Sequence, residues 1–227
     1  TLRNGQKLVG TEYFTGYTGK EKFSQINFNG NQENTIYCHD TTNIVSDLKL
    51  FFENKRSDFG HLIYTMESNI KLNNLDVELY APQTSQGWAQ AAICINDDSN
   101  AIFSGIINVK GKSALGGGIW INKNSKGTID KETTVNLDTS GSEAYNDNWG
   151  FVIYNNSTVD LYGNLNIKST KCGFFMGGAS SNNNLNIYSS AQINMHVKSS
   201  SFALGKAIDN ISNKVNIEKN ANLNICD

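Results

Sequence analysis

Proline is almost missing from these 227 residues, with Pro82 alone. Arginine is nearly as scarce, at Arg3 and Arg56, and the 19 basic residues are dispersed and outnumbered by 21 acidic ones. A nucleic-acid partner needs a basic stripe, so this balance excludes that class. No run of about 18 apolar residues occurs, so no segment is expected to insert directly in a membrane. Residue 1 does not open a signal peptide.

The four cysteines, Cys38, Cys94, Cys172 and Cys226, show no CxxC or Cys/His spacing. That argues against a zinc site and for buried free thiols serving as small hydrophobes. Gly116-Gly117-Gly118 lacks a Lys-Ser/Thr sequel, so it is no phosphate loop and is expected to turn the chain before Ile119. The sequons at Asn155, Asn156 and Asn210 matter only in a eukaryotic secretory host, which nothing else suggests. No cofactor or metal is expected.

What is plentiful is asparagine, with more than thirty copies, beside 20 glycines. Asn tolerates left-handed backbone and closes turns through its side chain, so this composition suits many short strands joined by tight turns. The 10% aromatic content and regular Ile/Val/Leu triplets argue that a core is buried.

The sequence repeats itself. Asn74-Leu75-Asp76-Val77, Ile107-Asn108-Val109, Val135-Asn136-Leu137, Asn164-Leu165-Asn166-Ile167, Ile193-Asn194-Met195 and Asn222-Leu223-Asn224-Ile225 are variants of one phrase. A short alternating piece precedes each, as in Thr158-Val159-Asp160-Leu161, and an apolar run such as Gly150-Phe151-Val152-Ile153 follows each complete unit. Units start near residues 35, 69, 99, 125, 157, 182 and 213, at spacings of 25 to 34 residues. Constant strand phrases at variable spacing mark a solenoid, where insertions sit in the turns and leave the stacking intact. Alternation within each strand sends Ile, Val and Leu inward and Asn, Asp, Lys and Ser outward.

The expected fold is therefore all-β, a right-handed parallel β-helix with three short strands per coil and about six to seven coils. It is read as one β-solenoid domain over 1–227, with 1–34 an irregular first coil and 35–227 regular coils. Thr11–Lys22 is expected to be an excursion from the first coil. The far end stops in mid-coil at Cys226-Asp227, so the chain reads as part of a longer surface protein.

The stacked Asn-Leu-Asn-Ile phrases, the Gly before the third strand and the opening Asn4-Gly5-Gln6-Lys7-Leu8-Val9-Gly10 resemble the pectin-lyase-like β-helices of bacterial surface adhesins. These include autotransporter passengers and the β-helical binding regions of Gram-positive wall-anchored adhesins. The resemblance covers nearly the whole chain and rests on repeat style. It implies an extracellular, cell-surface adhesion domain that holds a host or matrix glycan or glycoprotein, with loops on one side making the contacts.

The same fold hosts polysaccharide lyases and hydrolases, the alternative reading, and these need carboxylates clustered on one face. Asp97-Asp98 is the nearest pair, yet the equivalent turns carry Lys123-Asn124, Asn155-Asn156 and Ala179-Ser180, with no second acidic layer. Gly60-His61-Leu62 lacks the second glycine and the aspartate phrases of a polygalacturonase. His39 and His196 lie in different units, and Asp130, Glu132 and Asp138 read as an external charged face. Catalysis is not expected. A ligand is expected at the long turns after the second strand, where Tyr80, Trp88, Tyr145, Asp147 and Trp149 fall on one side as an aromatic ledge.

Overall fold

The structure is a computed structural model that describes residues 1–10, 24–30, 34–54, 59–80, 89–112, 115–140, 147–169, 171–178, 182–198, 200–204 and 212–226. The expected excursion at Thr11–Lys22 lies outside these residues. All regular structure among them is strand, and every strand pairing is parallel. The chain is a parallel β-solenoid of the right-handed β-helix class.

The first layer holds β1 (Lys7–Val9), β2 (Ser24–Gly30) and β3 (Asn34–His39). Three layers of two strands follow: β4 (Thr42–Asn54) with β5 (Phe59–Met66), β6 (Asn69–Tyr80) with β7 (Ala89–Asn96), and β8 (Asn100–Lys112) with β9 (Leu115–Asn122). Two layers of three come next: β10 (Lys126–Ile129), β11 (Thr134–Asp138) and β12 (Asp147–Tyr154), then β13 (Thr158–Leu161), β14 (Asn164–Ser169) and β15 (Cys172–Gly177). Above them lie β16 (Asn184–Ile187), β17 (Gln192–Val197) and β18 (Ser200–Leu204), and finally β19 (Lys214–Ile217) and β20 (Asn222–Cys226).

One sheet stacks β3, β5, β7, β9, β12, β15 and β18; the remaining strands make a 13-stranded sheet that folds around the other side of the bore. In the seven-stranded sheet, the five strands β5, β7, β9, β12 and β15 have a neighbour on both sides. The solenoid has about five turns, slightly fewer than expected. The phase of its start is also corrected. Asn34–His39 pairs with β5 as a third strand, so the unit placed at residue 35 begins at Thr42.

The strand count per coil is corrected too. In β4, β6 and β8 the two strands expected before the third are one, 12 or 13 residues long. A left-handed residue bends each of them: Asp47, Asn74 or Gly105. Asn74 Nδ2 donates to Asp47 Oδ1 (3.1 Å), and Asn74 Oδ1 accepts the amide of Ile106 (3.1 Å), so the bends stack layer on layer. From β10 onward a short turn separates the two strands, closed for example by Thr133 N donating to Asp130 O and Ala191 N to Tyr188 O. Gly116–Gly118 is no turn, because it lies within β9. A Cβ on Gly118 would stand 3.0 Å from the Gly150 carbonyl oxygen, so glycine there serves the close approach of layers.

Inward residues align in rows. Ile63, Ile93, Ile119, Phe151 and Phe174 are successive register partners and fully buried, as are Leu75, Ile107, Val135, Leu165 and Ile193 on the opposite wall. Burying one such side chain contributes about 1.5–3 kcal/mol. At the corners after β5, β7, β9, β12 and β15, a small polar side chain faces inward. Ser68 N donates to Ser99 Oγ, Ser99 N to Ser125 Oγ, Ser125 N to Ser157 Oγ and Ser157 N to Asn183 Oδ1, at 3.0–3.2 Å. This ladder satisfies backbone amides that the turns leave buried.

Candidate functional site

Parallel pairing in strict register places equivalent residues of successive units side by side on the outer face of the 13-stranded sheet. Asp76, Asn108, Asn136, Asn166, Asn194 and Asn224 form one such row. Each is the outward polar residue of the repeated phrase. Asn136 Nδ2 donates to Asn108 Oδ1 (2.8 Å), Asn166 to Asn136 (2.7 Å) and Asn194 to Asn166 (2.8 Å). Two residues further along each strand runs a second row, Glu78, Lys110, Asp138, Lys168, His196 and Cys226. Between the rows lies a groove of about 590 Å³, its polar lining made of Asp76, the five asparagines, Lys110, Asp138, Lys168, His196 and Cys226.

The amide ladder leaves chemistry over. An Asn side chain has two N–H donors and two acceptor lone pairs, and the ladder uses one of each. A donor and an acceptor therefore remain at each layer for a ligand. Asp138 accepts from the Ser140 hydroxyl (2.6 Å) and amide (3.0 Å), and Lys168 Nζ stands 3.9 Å from its other oxygen. Partial burial pushes its carboxyl up, but the Ser140 bonds and then Lys168 and Lys110 outweigh that and hold it below the usual carboxylate range.

The expected aromatic ledge is divided. Tyr80 ends β6 and is half exposed, while Trp88 and Tyr145 lie outside the described residues. Asp147 opens β12 in register with Leu115. Trp149 sits on the seven-stranded sheet, stacked on Phe175 (ring centroids 4.4 Å apart, planes 7° apart) and tilted toward Trp120 at 6.4 Å. Phe175 in turn stacks on Tyr154 at 6.1 Å. Sequence reading placed Trp120 and Phe175 only in third-strand runs. Their signal was the recurrence of a large aromatic at one strand position, since Val152 is the register partner of both.

The residues considered for catalysis do not assemble. Asp97 and Asp98 occupy a left-handed turn, with Asp97 held by Lys123 (3.2 Å) and Asn96 (2.8 Å). His61 is buried against the Ala91 backbone, and His39 pairs with Glu67 at 3.6 Å. Among the described residues, no group of three or more His, Cys, Asp or Glu is placed to hold a metal ion. Cys38, Cys94 and Cys172 are buried free thiols as expected, whereas Cys226 is exposed at the end of the groove. Burial pushes the Cys38 thiol up to about 11, far from a reactive thiolate.

No protein-family model, no curated protein and no solved structure matches this chain. No helix among the described residues is long and apolar enough to cross a membrane.

Proposed function

We propose that this chain is a non-catalytic adhesion domain that holds an extended glycan along the groove of the 13-stranded sheet. The observation that supports the reading is the row Asn108, Asn136, Asn166, Asn194 and Asn224, which offers a donor and an acceptor at every layer. A sugar hydroxyl needs that pairing, because it donates and accepts at once. The layers repeat about every 4.8 Å, and an extended, equatorially linked pyranose chain advances by about the same length per ring. The amides of Asn108, Asn136, Asn166 and Asn194 are linked to one another and so are oriented before the ligand arrives, which lowers the ordering cost of binding. The extracellular setting, on a bacterial cell surface, follows from the resemblance of the repeat to the β-helices of surface adhesins.

The test is a polysaccharide panel read by binding and by product formation, with Asn136→Ala/Asn166→Ala as the variant. Each lost amide contributes about 1 kcal/mol, so the double variant is expected to bind about thirtyfold more weakly. A variant that keeps its melting temperature and its affinity removes the groove from the function. Release of oligosaccharide products would end the non-catalytic reading in favour of a lyase or hydrolase.

A further inference from the structure

The second row adds charge to the amides, and over four layers its signs alternate. Glu78, Lys110, Asp138 and Lys168 are successive register partners, the last three lining the groove, and His196 and Cys226 continue the row without the alternation. Two layers span about 9.6 Å. That is the advance of two sugar rings in an extended chain, and the amide row beside it repeats at every layer instead. The hydroxyl-binding row thus has a period of one sugar, and the charged row a period of two.

Resting on the glycan-binding reading, we infer that the groove is built for a linear alternating copolymer of a uronic acid and a 2-acetamido sugar. Its carboxylates fall at Lys110 and Lys168, and the acetamido N–H of the intervening sugar falls at Asp138. A homopolymer of uronic acid would set a carboxylate against the ionised Asp138. A neutral glucan would leave both lysines without an anion. The lysines are largely exposed, so their contribution is screened by salt. Asn108 to Asn224 covers five layers, which sets the recognised length at about two disaccharides, with the charged contacts confined to the three layers from Lys110 to Lys168.

Calorimetric titration of the whole chain with hyaluronan, polygalacturonate and cello-oligosaccharides tests this at low and high salt. Hyaluronan is expected to bind tightest, with affinity levelling off at about the tetrasaccharide and falling as salt rises. Lys110→Ala/Lys168→Ala should weaken hyaluronan roughly fivefold and leave the cello-oligosaccharides unchanged. Asp138→Asn should raise affinity for polygalacturonate relative to hyaluronan, and this inversion is read as a ratio, so general destabilisation does not imitate it. Equal binding of all three polymers, lost in Asn136→Ala/Asn166→Ala, would overturn the alternating-polymer inference while leaving the glycan groove standing. Binding of none of them, or binding indifferent to the asparagines, would overturn both.

Discussion

The imidazole of His61 stacks on Tyr64 at 5.2 Å, and its Nδ1 accepts the amide of Ala91 at 3.1 Å. Burial disfavours the imidazolium and lowers the group from 6.5 to about 4, opposed by the bond that a protonated Nδ1 donates to the Ala91 carbonyl oxygen, 3.2 Å away. In the unfolded chain the same residue protonates near pH 6.5. The unfolded state therefore binds more protons between pH 6.5 and 4, and stability falls as pH is lowered through that window. The contribution present above pH 6.5 is about 3 kcal/mol, and it is fully lost by about pH 4. Urea midpoints measured from pH 7 to 4 should fall more steeply for the native chain than for His61→Asn, whose side-chain oxygen still accepts the Ala91 amide. Equal slopes in the two proteins would place the acid sensitivity elsewhere.

At the corners after β5, β7, β9 and β12 a left-handed backbone precedes an inward Ser: Ser68, Ser99, Ser125 and Ser157. Ser99 Oγ accepts the amide of Ser68 (3.1 Å) and donates to the carbonyl of Asn96 (2.6 Å). Ser99→Ala would leave a buried N–H and a buried carbonyl each short of a partner. A loss of about 1–3 kcal/mol is expected in denaturant titration, and Ser99→Cys should recover only part of it. No measurable change would mean that the corner is held by its backbone bonds alone. These elements were legible in the sequence as far as they depend on alternation. Asn164-Leu165-Asn166-Ile167 reads as a strand with its leucine inward, and it is one. The joining of two strands into β4, β6 and β8 was not legible, because the phrase opening at Asn74 reads as a second strand, and only the stacking of Asn74 on Asp47 makes it a bend within one. The groove was half legible. Outward asparagines follow from the repeat, but their convergence with Lys110, Asp138 and Lys168 depends on register between layers. Register is a property of pairing, and no one unit carries it.

A solenoid is quasi-one-dimensional: each layer contacts the layers on either side, and its stability is close to a sum of layer and interface terms. The position of a residue along the stack then decides what its side chain is worth. Ile119 lies at the middle of the bore with no exposure, between Ile93 and Phe151. Ile225 occupies the last described layer and is 46% exposed. Ile119→Ala is expected to lose about 2–5 kcal/mol, the cost of a cavity that neighbouring layers cannot close. Ile225→Ala should change stability by well under 1 kcal/mol, because much of its side chain already meets solvent. Hydrogen exchange reads the same gradient without mutation. Amides of β7, β9 and β12 have paired strands on both sides and should exchange slowest, while β19 and β20, each paired on one side, should exchange fastest. Uniform protection along the rod would mean that the solenoid unfolds as one cooperative block. The groove spans β6 to β20, so it crosses this gradient from rigid inner layers to the least protected ones. A glycan seated along it would tie the outer layers to the inner ones. Protection of β17 and β20 should therefore rise on binding by more than that of β8, and an unchanged exchange pattern at saturating ligand would place the glycan elsewhere on the rod.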